Sequence, residues 1–231
     1  LAATLTSLEL KPDNPAAHMN LGMIYDTLNA IDSALQSYTK SASLITHNKE
    51  ESCITSLINA SLILLQMNRL EHAKTALANA FEIMKTKEIH SNLAFAKNKK
   101  SNDAYLLYLN KLFPKIPRLD TSFKAQILHL GESHCLAFAN QKIKIKNKEY
   151  VIKPSLIKGA KAFHLSENTK INCHRICFKN RTEQNLDNYG YIFLSFGEID
   201  CRADEGILLH CKKTGKAIKD VSKVTAIEYY K

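Results

Sequence analysis

The chain has 231 residues, which corresponds to one or two domains at the usual size of ~150 residues each. Hydrophobic residues make up 45% and charged residues 23% of the sequence, a globular composition that excludes a disordered or collagen-like chain. Its apolar runs are short, which excludes a membrane-spanning helix. Because the sequence opens at Leu1 inside a helical pattern, we expect a piece of a longer protein. We also expect a cytoplasmic location.

Charge divides the chain into two regions. Residues 1–84 carry five Lys and Arg against eight Asp and Glu, a net charge of −3, whereas residues 85–231 carry 27 against 14, a net charge of +13. A basic region could attract nucleic acid or anionic lipid. Its lysines are scattered, however, and no basic helix is interleaved with aromatic residues. We therefore interpret it as a solvated lysine-rich surface without a specific nucleic-acid partner.

The six cysteines do not have the density of a disulfide scaffold. The best metal-ligand pattern is Cys173 and Cys177, whose three-residue gap is tolerated in zinc sites, with Cys201 and Cys211 further along. There is no second closely spaced pair, and Cys177 lies in an apolar Ile-Cys-Phe stretch typical of a buried strand. Free thiols are the favoured interpretation over zinc, and we expect no cofactor.

Helical periodicity repeats along the first part of the chain. After Pro15, the residues His18, Leu21 and Tyr25 share one helical face, and Gly22 permits close approach of a neighbouring helix. A break at residues 26–29 precedes a second amphipathic face. Its members are Ile31, Ala34, Leu35, Tyr38 and Ala42.

The same pattern of two short helices recurs with a break at residues 67–69. Over about residues 1–84 it resembles the tetratricopeptide repeat, with a further helix predicted from Ser101 to Leu112. This resemblance implies a protein or peptide partner bound in a groove, although the helices could also pack only on a neighbouring domain. Few units are present and stacked repeats need about three or more for stability, so we expect further repeats upstream.

After Pro117 the pattern changes to short apolar strands. Residues 125–130 predict a strand that runs directly into Gly-Glu-Ser-His at 131–134, followed by a short helix. The alternation in residues 142–152 predicts a β-hairpin. Residues 171–178 predict another strand, and a final helix is expected from Ala217.

The most apolar strand pattern covers Tyr191 to Phe196, as expected of a central parallel strand. It ends in Gly-Glu-Ile-Asp-Cys-Arg at residues 197–202. The charged residues Glu198, Asp200 and Arg202 could contact a substrate or form a structural ion-pair cluster, and both interpretations stay open. Because carboxyl ends of parallel strands meet at one edge, we expect this segment to share a pocket with Ser133.

These two strand ends resemble the SGNH, or GDSL-like, hydrolases over about residues 124–231. The family's first motif is Gly-Asp-Ser, matched here with Glu132 in place of Asp, so the resemblance implies that Ser133 is the nucleophile. It also implies that Gly159 is the second-motif glycine of the oxyanion hole and that Gly197 opens the family's third motif. The phrase Phe-Gly-Glu-Ile-Asp-Cys-Arg is similar to that of SGNH-like domains attached to tetratricopeptide repeats.

Two departures from the family pattern bear on activity. Ile199 stands where the family has an oxyanion Asn, and no Asp-x-x-His follows the last predicted helix. His134 should point away from Ser133, and His210 precedes the last helix rather than following it. We therefore expect the family's base to lie beyond residue 231.

The sequence thus predicts an α-solenoid of helical hairpins at residues 1–117 and an incomplete flavodoxin-like three-layer domain with a parallel sheet at residues 118–231. Two functions remain open. One is an SGNH-like hydrolase or acyltransferase acting on an ester, such as an acetylated glycan, with the repeats positioning partner or substrate. The alternative is a non-catalytic interaction protein with a degenerate hydrolase-like domain.

Overall fold

The computed structural model describes residues 1–44, 50–90, 98–119, 125–166 and 172–229. The chain divides into two compact units, Leu1–Arg118 and Leu119–Lys231. The described part of the first unit is helical, and that of the second combines a sheet with helices. None of the described helices is long and apolar enough to cross a membrane.

The first unit is built from helical hairpins, as the periodicity predicts. Its described helices are α1 (Ala2–Leu10), α2 (Pro15–Thr27), α3 (Ile31–Ser43), α4 (Glu50–Gln66), α5 (Leu70–His90) and α6 (Asn98–Leu112). Helix α2 packs on α3, and α4 packs on α5. Asn29 and Asn68 adopt left-handed φ angles of 59° and 61° in the two tight turns, a conformation that asparagine tolerates better than most residues.

The close approach of α2 and α3 depends on Gly22. A Cβ atom at this position would lie 2.6 Å from two ring carbons of Tyr38. The Tyr38 ring is only 1% exposed and belongs to a core cluster with Ala34, Ala60 and Ile63. Glycine therefore lets the Tyr38 ring lie directly against the α2 backbone, in agreement with the close helix approach predicted at Gly22.

The second unit contains a mixed sheet of four described strands. These are β1 (Gln126–Gly131), β2 (Lys142–Ile145), β3 (Lys148–Leu156) and β4 (Ile192–Ser195), in the order β2-β3-β1-β4. β1 is parallel to both β3 and β4, whereas β2 is antiparallel to β3. The predicted hairpin is confirmed, and its turn residues Lys146 and Asn147 have positive φ angles that match strand twist. A parallel sheet was expected, but antiparallel β2 makes the described sheet mixed.

The remaining described helices of this unit are α7 (Ala162–Ser166), α8 (Cys173–Glu183), α9 (Gly206–Thr214) and α10 (Ile218–Tyr229). The strand predicted at residues 171–178 is wrong, since residues 173–178 lie in α8; residue 171 is outside the described residues. The Asn172 side chain accepts the Arg175 N–H at 2.9 Å and caps this helix. Cys177 and Arg181 are its buried residues, and residues four apart lie on one face of a helix.

The apolar run at residues 191–196 does form a strand parallel to β1, but the prediction that it is central is wrong. β4 is an edge strand of the described sheet, and Leu194 is 44% exposed. β1 is the central strand, with every residue after Gln126 buried. An apolar run of this length predicts that a strand forms, but the position of that strand in the sheet depends on which elements pack beside it.

Candidate active site

The segments that follow β1 and β4 lie side by side at the carboxyl edge of the sheet. Gly131 and Ser195, the last residues of these strands, are register partners. The Glu132 N–H donates to the Ser195 carbonyl at 3.1 Å, and on the other side of β1 the Ile157 N–H donates to the Gly131 carbonyl at 2.8 Å. Ligands gather at this edge in open α/β sheets.

The carboxylate of Glu132 is the buried centre of this edge. Glu132 is 2% exposed. Its Oε2 accepts the Ser133 hydroxyl at 2.9 Å and the His134 backbone N–H at 3.2 Å, and its Oε1 lies 2.5 Å from His134 Nδ1. These hydrogen bonds offset the cost of burying a carboxylate. Ser133 is half-buried and His134 is exposed, so both side chains reach outward from a buried acid.

Glu198 and Arg202 form a two-pronged ion pair beside it. Arg202 Nε lies 3.2 Å from Glu198 Oε1, and Arg202 Nη2 lies 2.8 Å from Oε2. The hydrogen bond from Arg202 lowers the pKa of Glu198, and that bond to Glu198 raises the pKa of Arg202. A second carboxylate, that of Glu205, lies 3.6 Å from Arg202 Nη1. Both pair members are about half exposed, so the pair orients charges more than it stabilises the fold.

Glu132, His134 and Glu198 each offer a ligand atom, and these atoms all lie within 4.8 Å of one another. The atoms are already engaged, however. Glu132 is bonded to Ser133 and His134, and Glu198 is bonded to Arg202, whose positive charge opposes a second cation. We therefore interpret this group, here called the edge cluster (Glu132, His134, Glu198 and Arg202), as a hydrogen-bonded polar cluster rather than a metal centre.

Asp200 has a different environment from its neighbours in the 197–202 segment. It is 2% exposed, and its carboxylate accepts the backbone N–H groups of Ala162 at 2.6 Å and Phe163 at 3.1 Å. Burial raises its pKa, while these two hydrogen bonds act in the opposite direction. Asp200 thus anchors the start of α7 to the end of β4. These contacts with the α7 backbone are those of a positioning residue.

Gly159, which matches the second motif, follows β3, and the third-motif residues Gly197 and Ile199 follow β4. Gly159 lies in the turn after β3 with a φ of +71°, and Gly197 follows β4 with a φ of +120°. Both conformations favour glycine. Ile199 is buried at 8% exposure, so it adds apolar packing where the family pattern has an amide.

Neither of the two histidines considered as a base is placed as the SGNH pattern requires. His134 directs Nδ1 to Glu132, and His210 lies on α9 with its ring 4.8 Å from that of Phe163. His164 and His174 form another pair, stacked with ring centroids 5.1 Å apart. Burial lowers the pKa of His174, and the neighbouring His164 adds to this effect.

The cysteines are free thiols, and among the described residues they supply no group of three metal-ligand atoms. Cys173 is exposed, whereas Cys177 is buried and accepts a hydrogen bond from Arg181 Nε at 3.1 Å. Arg181 is 2% exposed and also donates to the Ser155 hydroxyl at 3.1 Å. Burial raises the pKa of Cys135 to about 12, so this thiol is a packing residue and not a nucleophile.

Glu132 is not among the site residues predicted from the sequence, where it stands only as the replacement of the family's Asp. The available signal was its position between a glycine and a serine at the end of a buried strand. Which group its carboxylate faces depends on the tight turn that follows, where Ser133–Phe138 form a 3-10 helix and the Glu132 side chain caps the turn.

Residues 15–48 match the tetratricopeptide repeat family model. No curated protein and no solved structure matches the chain significantly. The matched residues contain α2 and α3 with their Gly22–Tyr38 contact. The described N-terminal region is therefore helical and includes a tetratricopeptide repeat, which supports a role in binding protein partners.

Proposed function

We propose that the second unit is an SGNH-like serine hydrolase or acyltransferase that acts on an ester, with Ser133 as the nucleophile. One observation carries the proposal: the Ser133 hydroxyl donates to the buried Glu132 carboxylate at 2.9 Å, at the carboxyl edge of the sheet. A serine hydroxyl is a weak nucleophile unless an acceptor is ready to take its proton. The pairing of an outward-reaching serine with a buried acid is suited to that chemistry.

The oxyanion that forms during acyl transfer needs donors aimed at it. We assign this role to the backbone N–H groups of Ser133 and Gly159, with Gly197 giving the 197–202 segment the left-handed bend that follows β4. The apolar side chain of Ile199 cannot donate a hydrogen bond. Loss of one oxyanion donor costs on the order of 3–4 kcal/mol in enzymes that rely on it. Arg202 is the cationic residue nearest to Ile199 in sequence, and it belongs to the edge cluster. We therefore assign Arg202 the role of replacing the missing oxyanion donor.

Glu198 and Asp200 complete the proposed site in different ways. Glu198 holds Arg202 in one orientation through two hydrogen bonds. Asp200 fixes the start of α7 and thereby the preceding turn that contains Gly159. The proposal includes a flavodoxin-like three-layer fold for this unit, and the parallel pairing of β1 with β3 and β4 is compatible with it.

The substrate proposed is an ester of an exposed hydroxyl group, such as an acetylated glycan. The repeats are proposed to position a protein partner or the substrate. The alternative, a non-catalytic interaction protein, shares the repeat function and differs only in the chemistry of the second unit. An experiment on Ser133 therefore separates the two.

That experiment is covalent labelling of the purified chain with a fluorophosphonate probe, which reacts with activated serines, followed by peptide mass spectrometry. We expect labelling at Ser133 that is lost in Ser133→Ala and retained in the control Ser222→Ala on α10. Wild-type chain that remains unlabelled at Ser133 would favour the non-catalytic alternative. Turnover of acetyl esters that persists in Ser133→Ala would place the activity elsewhere.

A further inference from the structure

Glu132 has the contacts of a general base as well as those of a structural acid. A base must lie within about 2.6–3.2 Å of the atom whose proton it takes, and Glu132 Oε2 lies 2.9 Å from Ser133 Oγ. The carboxylate is held in place from two further directions, by the His134 backbone N–H and by His134 Nδ1. Its burial fixes its rotamer against the sheet edge.

The charges around Glu132 favour this role. Arg202 and the exposed His134 are the cationic or protonatable groups that face it from the edge cluster, and Arg202 interacts with it electrostatically. The buried His129 on β1 and the Cys135 thiol in the turn after β1 also interact with it electrostatically. Glu198 is the other carboxylate nearby, and its charge is paired with Arg202.

We propose that Glu132, rather than a histidine, is the general base that activates Ser133, and that His134 is the positioning residue that holds its carboxylate. The inference rests on the proposed function and differs from the expectation that the base lies beyond residue 231. The local sequence Glu-Ser-His would then contain nucleophile, base and positioning residue in one turn.

Every proton in the proposed reaction passes between Ser133, Glu132, the leaving alcohol and the acceptor. As Ser133 Oγ bonds to the acyl carbon, its O–H bond breaks and the proton passes to Glu132 Oε2. The bond from the acyl carbon to the alcohol oxygen then breaks, and the departing alkoxide takes that proton. Water or an acceptor alcohol next gives a proton to Glu132 as its oxygen bonds to the acyl carbon. The bond between the acyl carbon and Ser133 Oγ then breaks, and Oγ regains the proton from Glu132.

The test measures the rate of fluorophosphonate labelling at Ser133 in the wild-type chain, in Glu132→Gln and in the control Glu183→Gln, an exposed glutamate on α8. General bases contribute about 10²–10⁴-fold, so we expect Glu132→Gln to slow labelling by about 100-fold or more and Glu183→Gln to leave it unchanged. Circular dichroism and thermal melting establish that each variant is folded.

The pH dependence of the wild-type rate gives a second readout, which does not depend on the folding of any variant. With a carboxylate base we expect the rate to hold as pH falls through the range in which a free imidazole takes up a proton, near pH 6.5. A decline centred near pH 6.5 would identify a histidine base and overturn the inference. Labelling of folded Glu132→Gln within about threefold of wild type would also overturn it, while keeping Ser133 as the nucleophile. A wild-type chain that is never labelled would overturn both proposals.

Discussion

Gly131 and Ser195 end two neighbouring parallel strands as register partners, and a Cβ atom on Gly131 would lie 2.1 Å from the Ser195 hydroxyl oxygen and 2.8 Å from its carbonyl oxygen. The glycine of Gly-Glu-Ser-His is therefore required for the close approach of the strands and not for a left-handed backbone. This approach brings the segment that contains Ser133 beside the one that contains Glu198.

Gly131→Ala should destabilise the second unit by about 1–3 kcal/mol, the usual cost of overpacking. Part of the new contact is with backbone, which cannot rotate away. Chemical denaturation measures the loss. The matched control is Gly190→Ala, because a Cβ atom there meets nothing within 4 Å. Equal stability of the two variants would show that the strands can separate at little cost.

In the first unit, Gly22→Ala should lower stability by about 1–3 kcal/mol through the same mechanism, because the Tyr38 ring is buried and has little room to move. Asn20→Ala, an exposed change on the same helix, is the control and should alter stability by less than about 0.5 kcal/mol. Thermal and chemical denaturation of both variants give the comparison. A neutral Gly22→Ala variant would contradict the observed helix–helix packing.

Asp200→Ala should destabilise the chain by about 2–4 kcal/mol, since it leaves two backbone N–H donors at the start of α7 without their acceptor and each lost partner costs about 1–3 kcal/mol. Hydrogen exchange of the Ala162 and Phe163 amides should accelerate in this variant. The exposed Asp204→Ala is the control. Unchanged exchange at both amides would contradict an anchoring role for Asp200.

Stability should fall as pH is lowered through the histidine range. Burial lowers the pKa of His129 and of His174 in the folded chain. The unfolded chain therefore takes up protons first, near pH 6.5, and the free energy of unfolding decreases below that pH. His129→Leu keeps an apolar side chain between Phe138 and Phe193 and should reduce the difference in stability between pH 7 and pH 5. An identical pH dependence in this variant and wild type would contradict the assignment to His129.

Much of the fold could be predicted because the sequence patterns are local. The breaks at residues 26–29 and 67–69 contain the asparagines that adopt left-handed turns, and the hairpin follows from strict alternation in residues 142–152. The apolar segment around Cys177 was assigned to a strand because a short apolar run has the same composition in a strand and in one helical turn. The cap formed by Asn172 is a local signal for a helix start at this point.

For the candidate site, the residue types and the two strand ends that present them could be read from the printed sequence. Strands of the same direction end at the same edge, so residues 131–134 and 197–202 could be expected together. The folded chain distinguishes the neighbouring carboxylates: Glu132 faces Ser133 and His134, Glu198 faces Arg202, and Asp200 faces the backbone of α7. The role of a carboxylate depends on the donors within about 3 Å of it. The printed sequence places the donors of Glu132 and Glu198 within four residues of them, whereas folding alone brings the N–H groups of α7 to Asp200.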